Sequence, residues 1–285
     1  MKLNTRFVIS GLSADITTKK YVNPVNNLHF KIIKFLPLGC SGHTFIVEQN
    51  NKKYIMKRYI PTRTSVSVFR EYEMLSRVKQ IPELSETTPR VKQLIKGDDS
   101  IRYLIYDYID GEEVWDIHHE IYDTLPIDPK YSLSLAKSYI WNILYNVNVL
   151  HKQCNIVHLD IKPHNIIVQR INTMFHHYNE SYNKYNIIDF GSARYFDHTD
   201  PRKLVSAGIP VGTRNFISPE AYKGEYNIAS DTYSIGKILE EISKNIDIGE
   251  NGNELLSDML LDDPYIRPCV NDILYHRWFG IDGLV

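Results

Sequence analysis

His158-Leu159-Asp160-Ile161-Lys162-Pro163-His164-Asn165 sets an imidazole, a carboxylate, an ammonium and a carboxamide close together along the chain. Downstream, Ile187-Ile188-Asp189-Phe190-Gly191 reads as an apolar strand ending on a second carboxylate. Taken alone, an Asp at the end of a strand is most often a cap or turn residue. Either stretch alone could be chance; both, in this order, are hard to explain so, and they decide how the rest is read.

Outward from them the pattern divides. Phe30 to Leu36, Thr44 to Val47 and Lys53 to Lys57 are β-rich runs broken by Pro37, Gly39, Gly42 and Asn50-Asn51, which predicts three strands. Val68 to Lys79 spaces Phe69, Tyr72, Leu75 and Val78 at helical intervals before Pro82, which predicts a helix. Two more strands are expected at Val91 to Lys96 and Ile101 to Tyr108, joined by the turn Gly97-Asp98-Asp99. Beyond a boundary near Tyr108 to Gly111 the chain is mainly helical, with candidates at Leu133 to Lys152, Asp231 to Lys244 and Asn253 to Leu261.

With 285 residues, 43% hydrophobic and 24% charged, the composition is that of a globular protein large enough for one two-lobed domain. A formal net charge of −1 gives no global attraction to nucleic acid or to an anionic membrane. Cys40, Cys154 and Cys269 are odd in number and far apart, which offers neither a disulfide framework nor a zinc motif and fits a reducing compartment. No stretch approaches the roughly 18 apolar residues of a membrane span. An intracellular protein, cytoplasmic or nuclear, is therefore expected, without direct nucleic-acid or membrane partners.

Phosphoryl transfer asks a protein mainly for positioning and charge compensation: metals on the phosphates, a cation near them, and an acceptor for the proton of the attacking hydroxyl. Residues 158–165 resemble the catalytic loop of protein kinases in its Ser/Thr form, and Asp189-Phe190-Gly191 resembles their metal-binding motif. The resemblance implies an α+β, two-lobed fold: an N-terminal five-stranded antiparallel sheet plus one helix, and a mainly helical C-terminal lobe. It divides the chain into an extension at 1–29, an N-terminal lobe at 30–106, a hinge at 107–111 and a C-terminal lobe at 112–285, with an activation segment at 189–220. ATP with Mg²⁺ or Mn²⁺ is implied. By this match Asp160 orients the attacking hydroxyl and accepts its proton, Lys162 touches the γ-phosphate, and Asn165 and Asp189 hold metal. His158 is implied to be a packing residue.

The resemblance extends over nearly the whole chain. Tyr54-Ile55-Met56-Lys57 looks like the strand whose Lys meets the α- and β-phosphates. Its partner is expected to be Glu71 rather than Glu73, because Met74 and Leu75 then fall three and four residues later on the packing face. Tyr103 to Gly111 resembles the last strand and hinge, with Tyr106 as gatekeeper, Tyr108 beside the nucleotide, and the backbone of Asp107 and Ile109 facing adenine. Gly212-Thr213 and Ser218-Pro219-Glu220 resemble the end of an activation segment. Asp231 is similar to the residue that anchors the catalytic loop from below, and Arg267 to the partner of Glu220. Leu38-Gly39-Cys40-Ser41-Gly42, followed by Ile46, corresponds to the loop that covers the phosphates.

The departures matter as much. In that loop only Gly39 matches directly, and Ser41 and Thr44 replace glycines; small residues still let backbone N–H groups approach phosphate. Leu159 stands where many regulated kinases carry an Arg that pairs with a phosphorylated activation segment, so activity is expected without that phosphorylation. Asn172 to Lys184, including His176-His177, is an insertion expected to form a surface loop between two strands. Asp231 to Arg267 is short for the family, which implies a shortened helix-G region.

Glu113 and Glu241 fall where basophilic kinases hold the arginines of their targets, which implies a preference for Arg-rich protein substrates. The acidic run Asp107, Asp110, Glu112, Glu113, Asp116, Glu120 and Asp123 has a plainer reading as a solvated face. Lys162 and the loop at Thr213 favour Ser/Thr over Tyr. Two other readings compete: a pseudokinase scaffold, and a small-molecule kinase of the aminoglycoside-phosphotransferase type. Retention of Lys57, Glu71, Asp160, Asn165 and Asp189 speaks against the first. Lys162 and Ser218-Pro219-Glu220 with Arg267 speak against the second.

Overall fold

The computed structural model describes residues 8–9, 12–15, 20–23, 28–36, 43–59, 65–96, 102–114, 129–175 and 178–280. The chain forms two compact units, residues 1–79 with 89–109 and residues 80–88 with 110–285. Residues 80–88, which the sequence places within the strand-rich half, thus join the second unit.

The first unit is an antiparallel sheet with one helix. Its strands are β1 (Val8–Ile9), β2 (Leu12–Asp15), β3 (Lys20–Asn23), β4 (Leu28–Phe35), β5 (His43–Gln49), β6 (Lys52–Tyr59), β7 (Val91–Lys96) and β8 (Arg102–Asp107), in spatial order β1-β2-β3-β4-β5-β6-β8-β7. The five strands expected from the sequence are β4 to β8, and β1 to β3 extend the sheet from the N-terminal segment. Asn50 and Asn51 both take positive φ, 51° and 59°, and Gln49 pairs with Lys52. That two-residue turn has the twist a hairpin needs, and Asn tolerates it better than most residues. Helix α1 (Ser65–Val78) buries Val68, Met74, Leu75 and Val78. Phe30, Ile32, Phe45, Val47, Met56, Ile95, Tyr103 and Ile105 form the core of the sheet.

The second unit is mainly helical. It begins with the short α2 (Pro82–Ser85), and its long α3 (Pro129–Val149) runs into a single π-helical turn, Leu150–Cys154, closed by Asn155 at φ 58°. Ile140, Ile143, Leu144 and Val147 of α3 pack with Ile235, Ile238, Leu239 and Ile242 of α5 (Ala229–Ser243), which follows the short α4 (Pro219–Tyr222). One helix, α6 (Gly249–Met259), stands between α5 and Arg267, and α7 (Val270–Ile273) follows. Gly236 admits α6: a Cβ there would lie 2.8 Å from that of Met259.

The strands of this unit are short apart from one hairpin. They are β9 (Glu112–Glu113), β10 (Ile156–Val157), β11 (Ile166–Phe175), β12 (Tyr178–Ile187), β13 (Arg194–Tyr195), β14 (Val205–Ser206) and β15 (Glu225–Tyr226). The insertion at 172–184 is therefore a strand hairpin and not a loop: β11 and β12 stay in register from Ile166↔Ile187 to Phe175↔Tyr178. Its polar composition suggested a loop, but antiparallel pairing satisfies the backbone whatever the side chains, and Thr, Phe and Tyr favour extended chain. His176 and His177 lie outside the described residues. Among the described residues no helix is long and apolar enough to cross a membrane.

Candidate active site

In the first unit, β6 carries Lys57 and α1 carries Glu71. Lys57 Nζ lies 3.1 Å from Glu71 Oε2 and 3.3 Å from Oε1, and both side chains are almost wholly buried. It is Glu71, not Glu73, that meets the lysine. The Tyr59 hydroxyl also donates to Glu71 Oε2, a contact the sequence reading missed.

Tyr106 is buried on β8, opposite Ile55 of β6 and Val91 of β7. Asp107 pairs with Lys92 at 3.2 Å and Lys52 at 3.6 Å. Its N–H donates to the Arg90 carbonyl at 3.0 Å. Lys53 sits over the Tyr108 ring, 5.3 Å from its centroid. Ile109 is half-buried and Ile46 is buried on β5. Leu38, Gly39, Cys40, Ser41 and Gly42 lie outside the described residues, as do Asp116, Glu120 and Asp123.

In the second unit the segment between β10 and β11 is shaped from beneath by Asp231 of α5. Its carboxylate accepts the backbone N–H groups of His158 and Leu159, each at 2.8 Å, and contacts His151 Nε2 at 2.9 Å. Burial pushes the Asp231 carboxyl up, but these donors outweigh it and hold the acid below its usual value. They also hold Leu159 at φ 64°, a left-handed conformation that costs a branched residue free energy.

His158 is buried, and burial holds its imidazole below the ordinary histidine range and neutral. Nε2 donates to the Ile188 carbonyl at 3.2 Å, Nδ1 accepts from the Asp160 N–H at 3.3 Å, and the ring packs edge-on against Phe190. It ties the strand before Asp189 to the loop that carries Asp160.

Asp160 is the centre of a hydrogen-bonded cluster. Oδ1 accepts from Thr213 Oγ1 at 2.6 Å, and Oδ2 accepts from Lys162 Nζ at 2.9 Å and Asn165 Nδ2 at 3.0 Å. Lys162 also donates to Thr213 Oγ1 at 2.7 Å. Asn165 Nδ2 reaches the Asp160 carbonyl as well, at 2.9 Å, which fixes its amide and leaves Oδ1 as its acceptor end. Asp189 stands at φ 60°, with Oδ1 accepting the Gly191 N–H at 3.1 Å. A carboxylate and a carboxamide oxygen are hard donors of the kind Mg²⁺ or Mn²⁺ takes together with phosphate oxygens and water, so the residues fit such an ion.

Glu113 lies on β9 opposite Ile167, half-buried, and Glu241 lies on α5 with its carboxyl pushed up by burial. Glu220, at the start of α4, is bound by Arg267 at 2.7 and 3.0 Å and by Ser230 Oγ at 2.7 Å. Leu159 packs with Val157, Val211 and Tyr226, and Phe196, Val205, Ala207 and Ile228 pack against them.

A strand-rich unit with a buried Lys–Glu pair, and a helical unit with an Asp–Lys–Asn loop fixed from below by an α-helical Asp, define the class as a protein kinase. A family model described as "Protein kinase domain" matches residues 39–246, and the chain belongs to that family, whose members use ATP with a divalent metal. Calcium-dependent protein kinase 4 of Plasmodium berghei (strain Anka) is 24% identical over 91% of this chain and 51% of its own length. Serine/threonine-protein kinase Genghis Khan of Drosophila melanogaster is 27% identical over 79% of this chain and 13% of its own. Serine/threonine-protein kinase PknB of Mycolicibacterium smegmatis is 31% identical over 49% of this chain and 19% of its own. The chain thus spans about half the length of the Plasmodium protein, and less of the other two.

Proposed function

We propose that this chain transfers the γ-phosphate of ATP, with Mg²⁺ or Mn²⁺, to Ser and Thr hydroxyls of protein substrates. The observation that carries the reading is the Asp160–Lys162–Thr213 cluster, which sets a carboxylate acceptor and a cation 2.9 Å apart beneath a segment-end threonine. Asp160 Oδ1 or Oδ2 exchanges a present donor for the substrate hydroxyl and receives its proton as the new P–O bond forms and the bond between the γ-phosphorus and the β–γ bridging oxygen breaks, the electron pair leaving with ADP. Lys162 balances charge on the γ-phosphate, and Lys57, oriented by Glu71, does so on the α- and β-phosphates. Asp189 and Asn165 would hold the metal, whose positive charge would offset the negative charge that develops on the phosphates. Adenine packs beside Tyr106, Tyr108 and Ile46, against the backbone at Asp107 and Ile109.

The activation segment supports activity without its own phosphorylation. Apolar packing at Leu159 stands where an Arg–phosphate pair would otherwise be, and β14, inside the segment, pairs with β15 just beyond its end. Arg202 adds hydrogen bonds to the Pro264 carbonyl and the Arg267 carbonyl, and its NH2 reaches Asp272 at 3.2 Å.

The test is radiolabel transfer from ATP to a basic protein, followed by phosphoamino-acid analysis. Wild type is expected to label Ser and Thr, and D160N to lose at least a hundredfold in turnover; labelled Tyr, or an active D160N, counts against the reading. On a positional peptide array, Glu113→Ala should weaken selection for Arg; an unchanged preference and Michaelis constant would remove basic substrates from the proposal.

A further inference from the structure

Tyr59 stands two residues past Lys57 on β6, and strand alternation points both side chains to the same face. It is 1% exposed, and its hydroxyl donates to the Glu71 oxygen that Lys57 Nζ approaches at 3.1 Å. The Lys57 ammonium also lies 5.5 Å from the centroid of the Tyr59 ring, within cation–π range. Burial first, and then the neighbouring Glu71 carboxylate, push the phenol well above its ordinary range, so the hydroxyl keeps its proton and remains a donor.

Glu71 is 0% exposed, and a carboxylate in that position needs its lone pairs filled. Lysine is a point charge on a flexible stem and sets distance more than orientation. A phenol has few torsions, and one packed into the core sets direction. Three side chains from one strand and one helix thus meet in one cluster, in which the aromatic member touches both ions.

We propose that Tyr59 is a positioning residue for phosphoryl transfer: its hydroxyl clamps Glu71 and, through that carboxylate, holds the Lys57 ammonium in the arrangement that meets the nucleotide phosphates. The inference rests on the role given above to Lys57. The three clamp residues lie on β6 and α1, within the first unit.

Y59F, Y59L, K57M, E71Q and Y59F/E71Q are compared in the full chain by kcat and KM for ATP, by the dissociation constant of ADP with Mg²⁺, and by melting temperature. Y59F should lower kcat about tenfold while ADP affinity stays within about twofold, because Lys57 keeps its charge and loses only its placement. Y59F/E71Q should turn over no more slowly than E71Q, since the hydroxyl acts through the carboxylate. A merely structural tyrosine would shift melting but not split kcat from binding in this way.

K57M separates the two layers. If K57M keeps wild-type turnover, the role of Lys57 is wrong and the proposal falls with it. If K57M is inactive while Y59F keeps wild-type kcat, the proposal alone is overturned. Additive losses in Y59F/E71Q, or a loss in Y59L that Y59F lacks, assign Tyr59 to packing and overturn it as well. Should Y59F not fold, Y59F/E71Q against E71Q still decides, because the buried charge is gone from both.

Discussion

At the scale of single residues, the catalytic loop depends on how closely the activation segment can approach it. Gly212 has φ +122°, and a Cβ there would lie 2.7 Å from the Leu159 carbonyl oxygen. An alanine is excluded twice, by backbone conformation and by space, and its neighbour Thr213 bonds Asp160. G212A is expected to cost about 1–3 kcal/mol of stability and more than tenfold in turnover, read from melting curves and the radiolabel assay. The meeting of Asp160, Lys162 and Asn165 in one cluster was legible through the resemblance of residues 158–165 to a catalytic loop, and the contact of Lys57 with Glu71 and not Glu73 through helical spacing. Tyr59 was not, although its signal was available. A polar ring two places along the strand from a buried lysine must share its face.

Among elements, the activation segment is fastened by packing and pairing. Val205 and Ser206 pair with Tyr226 and Glu225, the Tyr226 hydroxyl donates to the Tyr195 carbonyl at 2.8 Å, and Asn227 Nδ2 donates to the Arg202 carbonyl at 2.8 Å. Two hydroxyls of the segment make local hydrogen bonds: Thr199 Oγ1 donates to Asp197 Oδ1 at 2.6 Å, and Ser206 Oγ accepts the Gly208 N–H at 3.2 Å. Replacing Ser192, Thr199 and Ser206 together by Ala should leave kcat within about threefold of wild type, whereas loss of a hundredfold would show that a phosphate is required. Element type was legible wherever periodicity was strong, as in α1, α3 and β4 to β8. It failed at 172–184, because side-chain polarity reports solvent contact and says nothing of backbone pairing.

Across the whole molecule, two buried acids couple stability to pH. Burial pushes Glu220 up, but Arg267 and Ser230 outweigh it, so that this carboxyl, like Asp231, is held below its ordinary value. Groups with depressed folded values stabilise above the unfolded carboxylate range, about pH 4, and that contribution is lost as pH falls through the folded values. Melting temperature should therefore hold from neutral pH to about pH 5 and fall steeply below about pH 4. E220Q should be less stable at pH 7 and show a shallower acid decline, and an unchanged slope would discount the Glu220–Arg267 pair as a source of the coupling. The division into a strand-rich and a helical unit was legible from the shift in periodicity near Tyr108, but the grouping of residues 80–88 with the second unit was not, since it depends on contacts distant in sequence such as Thr87 with Asn146. The packing around Leu159 gives the molecule a particular response to its surroundings. A latch of phosphate and guanidinium slackens as salt screens it, whereas a latch of hydrocarbon ignores salt and weakens as water cools. Turnover should therefore be nearly flat with added potassium chloride and should drop on chilling by more than the chemical step alone requires.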